Sequence, residues 1–271
     1  MTYTADPDRA FQTPRDFRSK LRMWFDQDHI CVLTIGKTAS SAIIEGLIDA
    51  GVPAYQAHTL SRAPQEYLFV SGLRDRPVQN AGFQIKTLSW LWLMRRREKR
   101  FITTFRDPFA RNMSAFFEQS WKLGLKVEDM CTDELVELYD RHGPHDVTRT
   151  WFHDNLTRPF GLSVDTLDLV SQPVQELAAH KRRFLFMKYE DQSLWEQALS
   201  HFAGTDVVLK RRNDSARKSY CDAMARLQAA WRPSTRIVER SLDRALWAAI
   251  YSEEDKAAIR SRWNIPDALA P

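Results

Sequence analysis

Short apolar runs alternate with amphipathic stretches along this 271-residue chain. Ile30-Cys31-Val32-Leu33-Thr34-Ile35 is a mostly apolar run and predicts a buried strand. A polar loop, Gly36-Lys37-Thr38-Ala39-Ser40-Ser41, follows it. Ile43, Ile44, Leu47 and Ile48 then recur at helical spacing, and Gly51 with Pro53 ends that helix. Ala54 to His58 predicts a second strand. Strand, loop, helix and strand make one βαβ unit, which implies a parallel sheet covered by helices.

Upstream, Phe17, Leu21, Trp24 and Phe25 predict a helix over 15–25. Downstream, 61–83 predicts loops with a strand near 67–70, and 84–97 predicts a helix. Phe101-Ile102-Thr103-Thr104-Phe105 is a β-branched and aromatic strand. Asp107-Pro108 marks a helix start, Asp as N-cap and Pro at the first helical position. That helix carries Ala110, Met113, Phe116, Phe117 and Trp121. Helices are expected over 131–141 and 147–156, a strand over 183–187, a helix over 193–202 and a short strand over 207–209. The stretch 210–219 is polar and basic, and 220–263 is mostly helical. No repeat or linker interrupts the pattern, so residues 1–271 are expected to form one α/β domain.

Lys plus Arg total 39 against 35 Asp plus Glu, for a net charge of +4. That excess suits an anionic ligand without the strong basic bias of a nucleic-acid binder. Cys31, Cys131 and Cys221 are odd in number and form no Cys-x-x-Cys pair, so neither a zinc site nor a disulfide framework is expected. The first twenty residues lack the apolar core of a signal peptide, and no window reaches the length of a membrane span. A cytoplasmic protein without a transmembrane segment is the expectation. Trp90, Trp92, Trp121, Trp151, Trp195 and Trp231 mostly fall at helical spacing and are expected in the core. The cations in Arg95-Arg96-Arg97-Glu98-Lys99-Arg100 suit a helix C-terminus.

Two segments carry candidate chemistry. A loop between a strand and a helix N-terminus offers amide N–H groups and the positive end of the helix dipole to an anion. Here Lys37 adds a charge, and Thr38, Ser40 and Ser41 add hydroxyls. Gly36-Lys37-Thr38 ends like a Walker A loop, but Cys31 stands where the first glycine would be, so the loop is shorter than a nucleoside-triphosphate loop. The second segment places Arg106 after a strand and Ser114 two helical turns later, where guanidinium and hydroxyl can converge on one anion, with Arg111 between them.

Together these segments resemble the sulfotransferases that use 3′-phosphoadenosine-5′-phosphosulfate (PAPS). Thr34 to Ser41 is similar to their 5′-phosphosulfate loop, and Thr104 to Phe117 to their 3′-phosphate motif. Phe184 to Asp191 is similar to the later core strand that often ends in Tyr-Glu-Asp. The stretch around Trp151-Phe152 is similar to a bacterial, sulfotransferase-like branch associated with capsular polysaccharide synthesis. Where that branch places an acidic residue straight after Trp-Phe, this chain has His153 and then Asp154.

The resemblance implies a three-layer, P-loop-like α/β fold with a central parallel sheet flanked by helices. It implies that Gly36, Lys37, Thr38, Ala39, Ser40 and Ser41 hold the 5′-phosphosulfate, and Arg106 and Ser114 the 3′-phosphate. The resemblance also implies that the basic loop 210–218, with Arg212 and Lys218 as contacts, closes over that phosphate; an exposed basic turn is the alternative reading of that loop. The implied activity is sulfuryl transfer from PAPS to an acceptor hydroxyl on a carbohydrate or small molecule, releasing 3′,5′-adenosine bisphosphate, with no metal expected. Lys37 stabilises the leaving oxygen, and a base takes the acceptor proton.

His58 is the chosen base, because it follows the second strand at the carboxyl edge of the sheet. Glu190 and the His153-Asp154 pair are its rivals, although Glu190 also suits orienting a basic side chain or capping the next helix. Two other readings stay open: a P-loop nucleotide-dependent kinase, and a non-catalytic nucleotide-binding protein of polysaccharide assembly. Acceptor identity and oligomeric state are not legible in the sequence.

Overall fold

The computed structural model describes residues 29–60, 98–122, 124–210 and 218–266. The helix expected over 15–25, the strand near 67–70, the helix over 84–97 and Arg212 lie outside the described residues, as do Trp90 and Trp92.

Strands β1 (Ile30–Leu33), β2 (Ala54–Ala57), β3 (Lys99–Phe105), β4 (Val174–Ala179) and β5 (Arg182–Lys188) form one sheet in the order β2-β1-β3-β5-β4. The first four in that order run parallel, and β4 runs antiparallel to β5. The expected parallel sheet therefore gains an antiparallel edge. Two residues, His180 and Lys181, separate β4 from β5, and so tight a link permits only antiparallel pairing. His180 adopts a positive φ of 54° to make the turn. The sequence of β4 mixes Gln and Glu with Leu and Ala, the half-exposed pattern of an edge, and so lacks the apolar run that marked the others.

Strand alternation sends side chains to two separate cores. Cys31, Leu33, Phe101, Phe105, Phe184 and Phe186 face one, and Ile30, Val32, Ile102, Leu185 and Met187 the other. The helices are α1 (Ser40–Asp49), α2 (Pro108–Lys122), α3 (Thr132–His142), α4 (Val147–Phe152), α5 (Trp195–Ala203), α6 (Cys221–Ala230), α7 (Thr235–Ser241), α8 (Arg244–Ile250) and α9 (Glu253–Trp263). α1 and α5 cover the second core through Ile43, Ile44, Leu47, Trp195, Leu199 and Phe202. α2, α3, α4 and α6 to α9 cover the first. Trp151, Trp195 and Trp231 are buried in these cores, as expected. Buried Cys31 sits under the sheet with its thiol pushed up to about 12 by burial, and it behaves as a small apolar residue. Among the described residues no helix is long and apolar enough to cross a membrane.

Two local expectations are corrected. Residues 207–209 are not a strand: Val207 and Leu209 donate their amides to Ser200 Oγ and Glu196 Oε1, and the segment crosses α1 at Gly46 instead of joining the sheet. A side chain at Gly46 would meet Leu209 Cδ2 at 2.9 Å, so glycine permits the crossing. The helix expected over 147–156 is α4 followed by a π-helical turn, His153–Thr157, and a last α-turn, Arg158–Phe160. The insertion brings Asn155 inward and fully buries it.

Asp107 and Pro108 begin α2 as expected. Asp107 Oδ1 accepts the amides of Phe109 (2.9 Å) and Ala110 (3.3 Å), and Oδ2 accepts the Trp263 indole N–H at 2.7 Å. The same buried carboxylate thus starts α2 and fixes the C-terminal end of α9. Burial holds the Asp107 carboxyl above its ordinary range, opposed by these hydrogen bonds and by Arg262. Trp263→Phe keeps an aromatic ring but removes the donor from a buried carboxylate. Chemical denaturation should show a loss of about 2–4 kcal/mol, and a loss under about 0.5 kcal/mol would contradict the coupling.

Candidate anion-binding site

The loop between β1 and α1 is held from below. Arg111, on α2 and only 2 % exposed, donates from Nη2 to the carbonyl of Ile35 (2.6 Å) and from Nε to that of Gly36 (3.2 Å). Arg106 Nη1 donates to the carbonyl of Lys37 at 2.9 Å. Thr104 Oγ1 donates to the carbonyl of Thr38 at 3.1 Å and is hydrogen-bonded to its hydroxyl at 2.8 Å. Four successive carbonyls, 35 to 38, are therefore drawn toward β3 and α2. In a trans peptide the N–H lies opposite the C=O, so the amides of residues 36 to 39 face the other way. These amides lead into the N-terminus of α1, whose N-cap Ala39 supplies no side-chain cap.

The backbone takes unusual conformations to do this. Gly36 has φ 71°, Lys37 φ 63° and Ala39 φ 61°. For glycine that costs little, but each of the two L side chains carries about 1–2 kcal/mol of left-handed strain, held in place by the tethered carbonyls. Concave stretches of backbone N–H made with left-handed residues bind anions.

Not every hydroxyl of the expected site faces outward. Thr38 is fully buried against Thr104, and Ser40 is buried with its Oγ accepting from the Gln56 side chain. Lys37, Ala39 and Ser41 are partly exposed. Thr38 and Ser40 thus shape the loop through their side chains, and it is their backbone amides that remain for a ligand. Nothing in the sequence distinguishes these hydroxyls from that of Ser41.

Arg106 touches the loop, whereas Ser114 is placed only by its position on α2. The Arg106 guanidinium lies 4.4 Å over the Tyr189 ring while it bonds Lys37, and it makes no hydrogen bond to Ser114. Ser114 is partly exposed on the stripe of α2 that contains Arg111 three residues before it and Glu118 four residues after. Both neighbours touch the loop, Arg111 as above and Glu118 through an ion pair with Lys37 at 3.6 Å.

Glu118 was missed by sequence reasoning and organises the charge here. Its Oε2 also meets Lys218 Nζ, and it accepts from the Tyr220 hydroxyl at 3.1 Å. Lys37 and Lys218, a loop residue and a residue 181 positions later, therefore gather around one carboxylate. Burial, followed by the Glu118 charge and hydrogen bond, pushes the Tyr220 phenol up and keeps it neutral. The i+4 spacing from Ser114 was the available clue, but nothing in the sequence linked Glu118 to residue 218.

His58 stands just beyond β2, beside the start of the loop. Its Nδ1 lies 3.0 Å from the carbonyl of Thr34, which fixes the hydrogen on Nδ1 and leaves Nε2 as the basic nitrogen. Its own carbonyl accepts the Trp151 indole N–H at 2.7 Å. Asn155 from the π-turn accepts from Thr59 Oγ1 (2.9 Å) and from the Leu60 amide, and donates to the carbonyl of Trp151 (2.8 Å). Trp151 and Asn155 thus hold the segment 58–60, a structural role for the Trp-Phe-His-Asp stretch.

The rival bases have other partners in the structure. Glu190 accepts the backbone amide of Asp107 at 2.9 Å and so braces the turn that presents Arg106. Burial, with the nearby Asp107 charge, holds its carboxyl above the usual range. His153 is exposed, and Asp154 pairs with Arg158 at 3.3 Å. Arg212 lies outside the described residues. Among the described residues no group of three or more His, Cys, Asp or Glu is arranged to hold a metal ion.

Comparison with protein-family models, with curated proteins and with solved structures returned no match.

An incoming anion competes with the Glu118 carboxylate for Lys37 and Lys218. Glu118→Gln removes that competition and keeps the shape. Calorimetry at low salt should show pyrophosphate binding about 3–10-fold tighter, with the gain shrinking as salt rises. Weaker binding by the variant would instead make Glu118 the group that positions the lysines.

Proposed function

We propose that this chain is a sulfotransferase that moves a sulfuryl group from PAPS to an acceptor hydroxyl, on a carbohydrate in the first instance. The observation that carries the proposal is the tethered loop: outward amides at a helix N-terminus, with Lys37 and Lys218 converging beside it. The parallel strands, the two cores and the loop after β1 are consistent with a three-layer, P-loop-like arrangement. A loop five residues from the position of a Walker A first glycine, occupied here by Cys31 in the strand, suits a shorter anion than a triphosphate.

The donor set fits PAPS. The amides of 36–41, with Lys37 and Ser41, would hold the 5′-phosphosulfate; Arg106, Ser114 and Lys218 would hold the 3′-phosphate. When bound, PAPS supplies the sulfuryl group. Lys37 would supply the positive charge that stabilises the leaving oxygen as negative charge develops there. His58, hydrogen on Nδ1, receives the acceptor's proton at Nε2. The Thr34 carbonyl holds the ring in that tautomer and stabilises the imidazolium that forms.

Two variants test the assignments. His58→Ala should lower kcat for transfer from PAPS about 10²- to 10⁴-fold while leaving nucleotide affinity nearly unchanged. A surviving rate would remove His58 as the base. Arg106→Ala should weaken adenosine 3′,5′-bisphosphate about 10–100-fold, far more than adenosine 5′-monophosphate. Equal losses for the two nucleotides would leave Arg106 as a loop support that does not read the 3′-phosphate.

A further inference from the structure

A crevice of about 50 Å³ opens beside the loop, between Ile35 and Arg106 on one side and α7 and α8 on the other. Trp151, which holds His58, is part of its wall. Most of the lining is apolar, with Phe105, Leu246 and Ile250 among it. Three buried polar atoms of that lining have no hydrogen-bond partner: Ser241 Oγ, Trp247 Nε1 and Tyr251 Oη. Their residues are 1 %, 6 % and 3 % exposed. An unpartnered buried polar atom is uncommon, and each costs about 1–3 kcal/mol. Three on one crevice wall, within two consecutive short helices and the residue after them, point to a ligand.

We infer that this crevice is a binding subsite for a single neutral ring carrying several hydroxyl groups, held by Ser241, Trp247 and Tyr251. The atoms decide the class. Trp247 Nε1 can only donate, whereas the Ser241 and Tyr251 hydroxyls donate or accept, so a ligand with an acceptor oxygen and further hydroxyls satisfies all three. The apolar wall and the paired Trp247 and Tyr251 rings, 4.7 Å apart, suit the C–H face of such a ring. The volume takes one edge of a ring, with Ile35 of the loop and Arg106 on the facing wall.

The crevice lining carries one cation, Arg106, and one carboxylate, Asp243, so its charges balance and suit a neutral ligand. Burial, together with the charges of Glu190, Asp107 and Asp255, holds the Tyr251 phenol well above its ordinary value, and Arg106 opposes them only in part. An anionic group beside Tyr251 would meet the same carboxylates. The subsite does not depend on the nucleotide; if the donor reading above holds, the ring held here is the acceptor and the crevice sets its specificity.

The test uses the full chain and ¹⁵N-labelled tryptophan. The Trp247 indole cross-peak is assigned by its disappearance in Trp247→Phe. Myo-inositol should move that peak saturably, with or without adenosine 3′,5′-bisphosphate, and cyclohexanol should move it far less. Tyr251→Phe and Ser241→Ala should each weaken myo-inositol about 3–10-fold with unchanged melting temperature. A peak that myo-inositol and methyl glucoside leave in place overturns the inference. So does cyclohexanol binding as tightly as myo-inositol with no effect of Tyr251→Phe. Lys37→Ala, titrated in parallel, should lose the bisphosphate and keep the myo-inositol response. Polyol binding without bisphosphate binding would sink the donor reading alone, and the reverse would sink the crevice alone.

Discussion

A buried guanidinium supports the candidate site. Arg111 enters from α2 under the loop and spends its donors on two loop carbonyls and on the side chain of Asn112. A buried cation is costly unless its donors are met, and here carbonyl dipoles meet them. The exchange runs both ways. The loop gains a fixed path through three left-handed residues, and Arg111 gains a polar cradle in an otherwise apolar layer. Arg106 and Thr104 extend the same device along the chain, so one end of the sheet dictates which way the loop's amides face.

The rest of the site is built outward from that arrangement. Arg111 and Glu118 on one stripe of α2 bring support and a carboxylate to the loop, and Ser114 lies between them on that stripe. Glu118 then draws in Lys218 from a distant part of the chain. On the opposite flank, Trp151 and Asn155 hold His58, and the same Trp151 forms a wall of the crevice closed by α7 and α8. Asp107 binds these regions together: it starts α2, receives Trp263 from α9, and is itself braced by Glu190. The loop, His58 and the crevice lie at the carboxyl end of the parallel strands, the location that α/β sheets generally use for ligands.

Much of this was legible in the sequence because it rests on local pattern. The apolar runs at 30–33, 101–105 and 184–187 announce strands, and the Asp107-Pro108 pair announces α2. The placement of the Gly36–Ser41 loop and of His58 follows from the βαβ order. What the sequence hid depends on long-range pairing or on backbone departures from period. β4 hid because an edge strand needs only one apolar face. The segment 207–209 has strand composition, yet tertiary contacts with α1 and α5 claimed it. The π-turn shifts Asn155 inward by a change that no helical periodicity announces. Arg111 read as one more helix cation, since its partners are carbonyls and carbonyls leave no trace in sequence. Ser241, Trp247 and Tyr251 read as an unremarkable helical tail, because an unmet hydrogen bond shows only in three dimensions.

The central claim is that the Arg111-held loop is an anion site for a 3′-phosphorylated nucleotide. Calorimetric titration of adenosine 3′,5′-bisphosphate into the wild-type chain and into Arg111→Met tests it most directly. The account predicts saturable binding by the wild type, and binding at least about tenfold weaker by a variant that remains folded by circular dichroism. No binding by the wild type, or equal binding by the two, would contradict it.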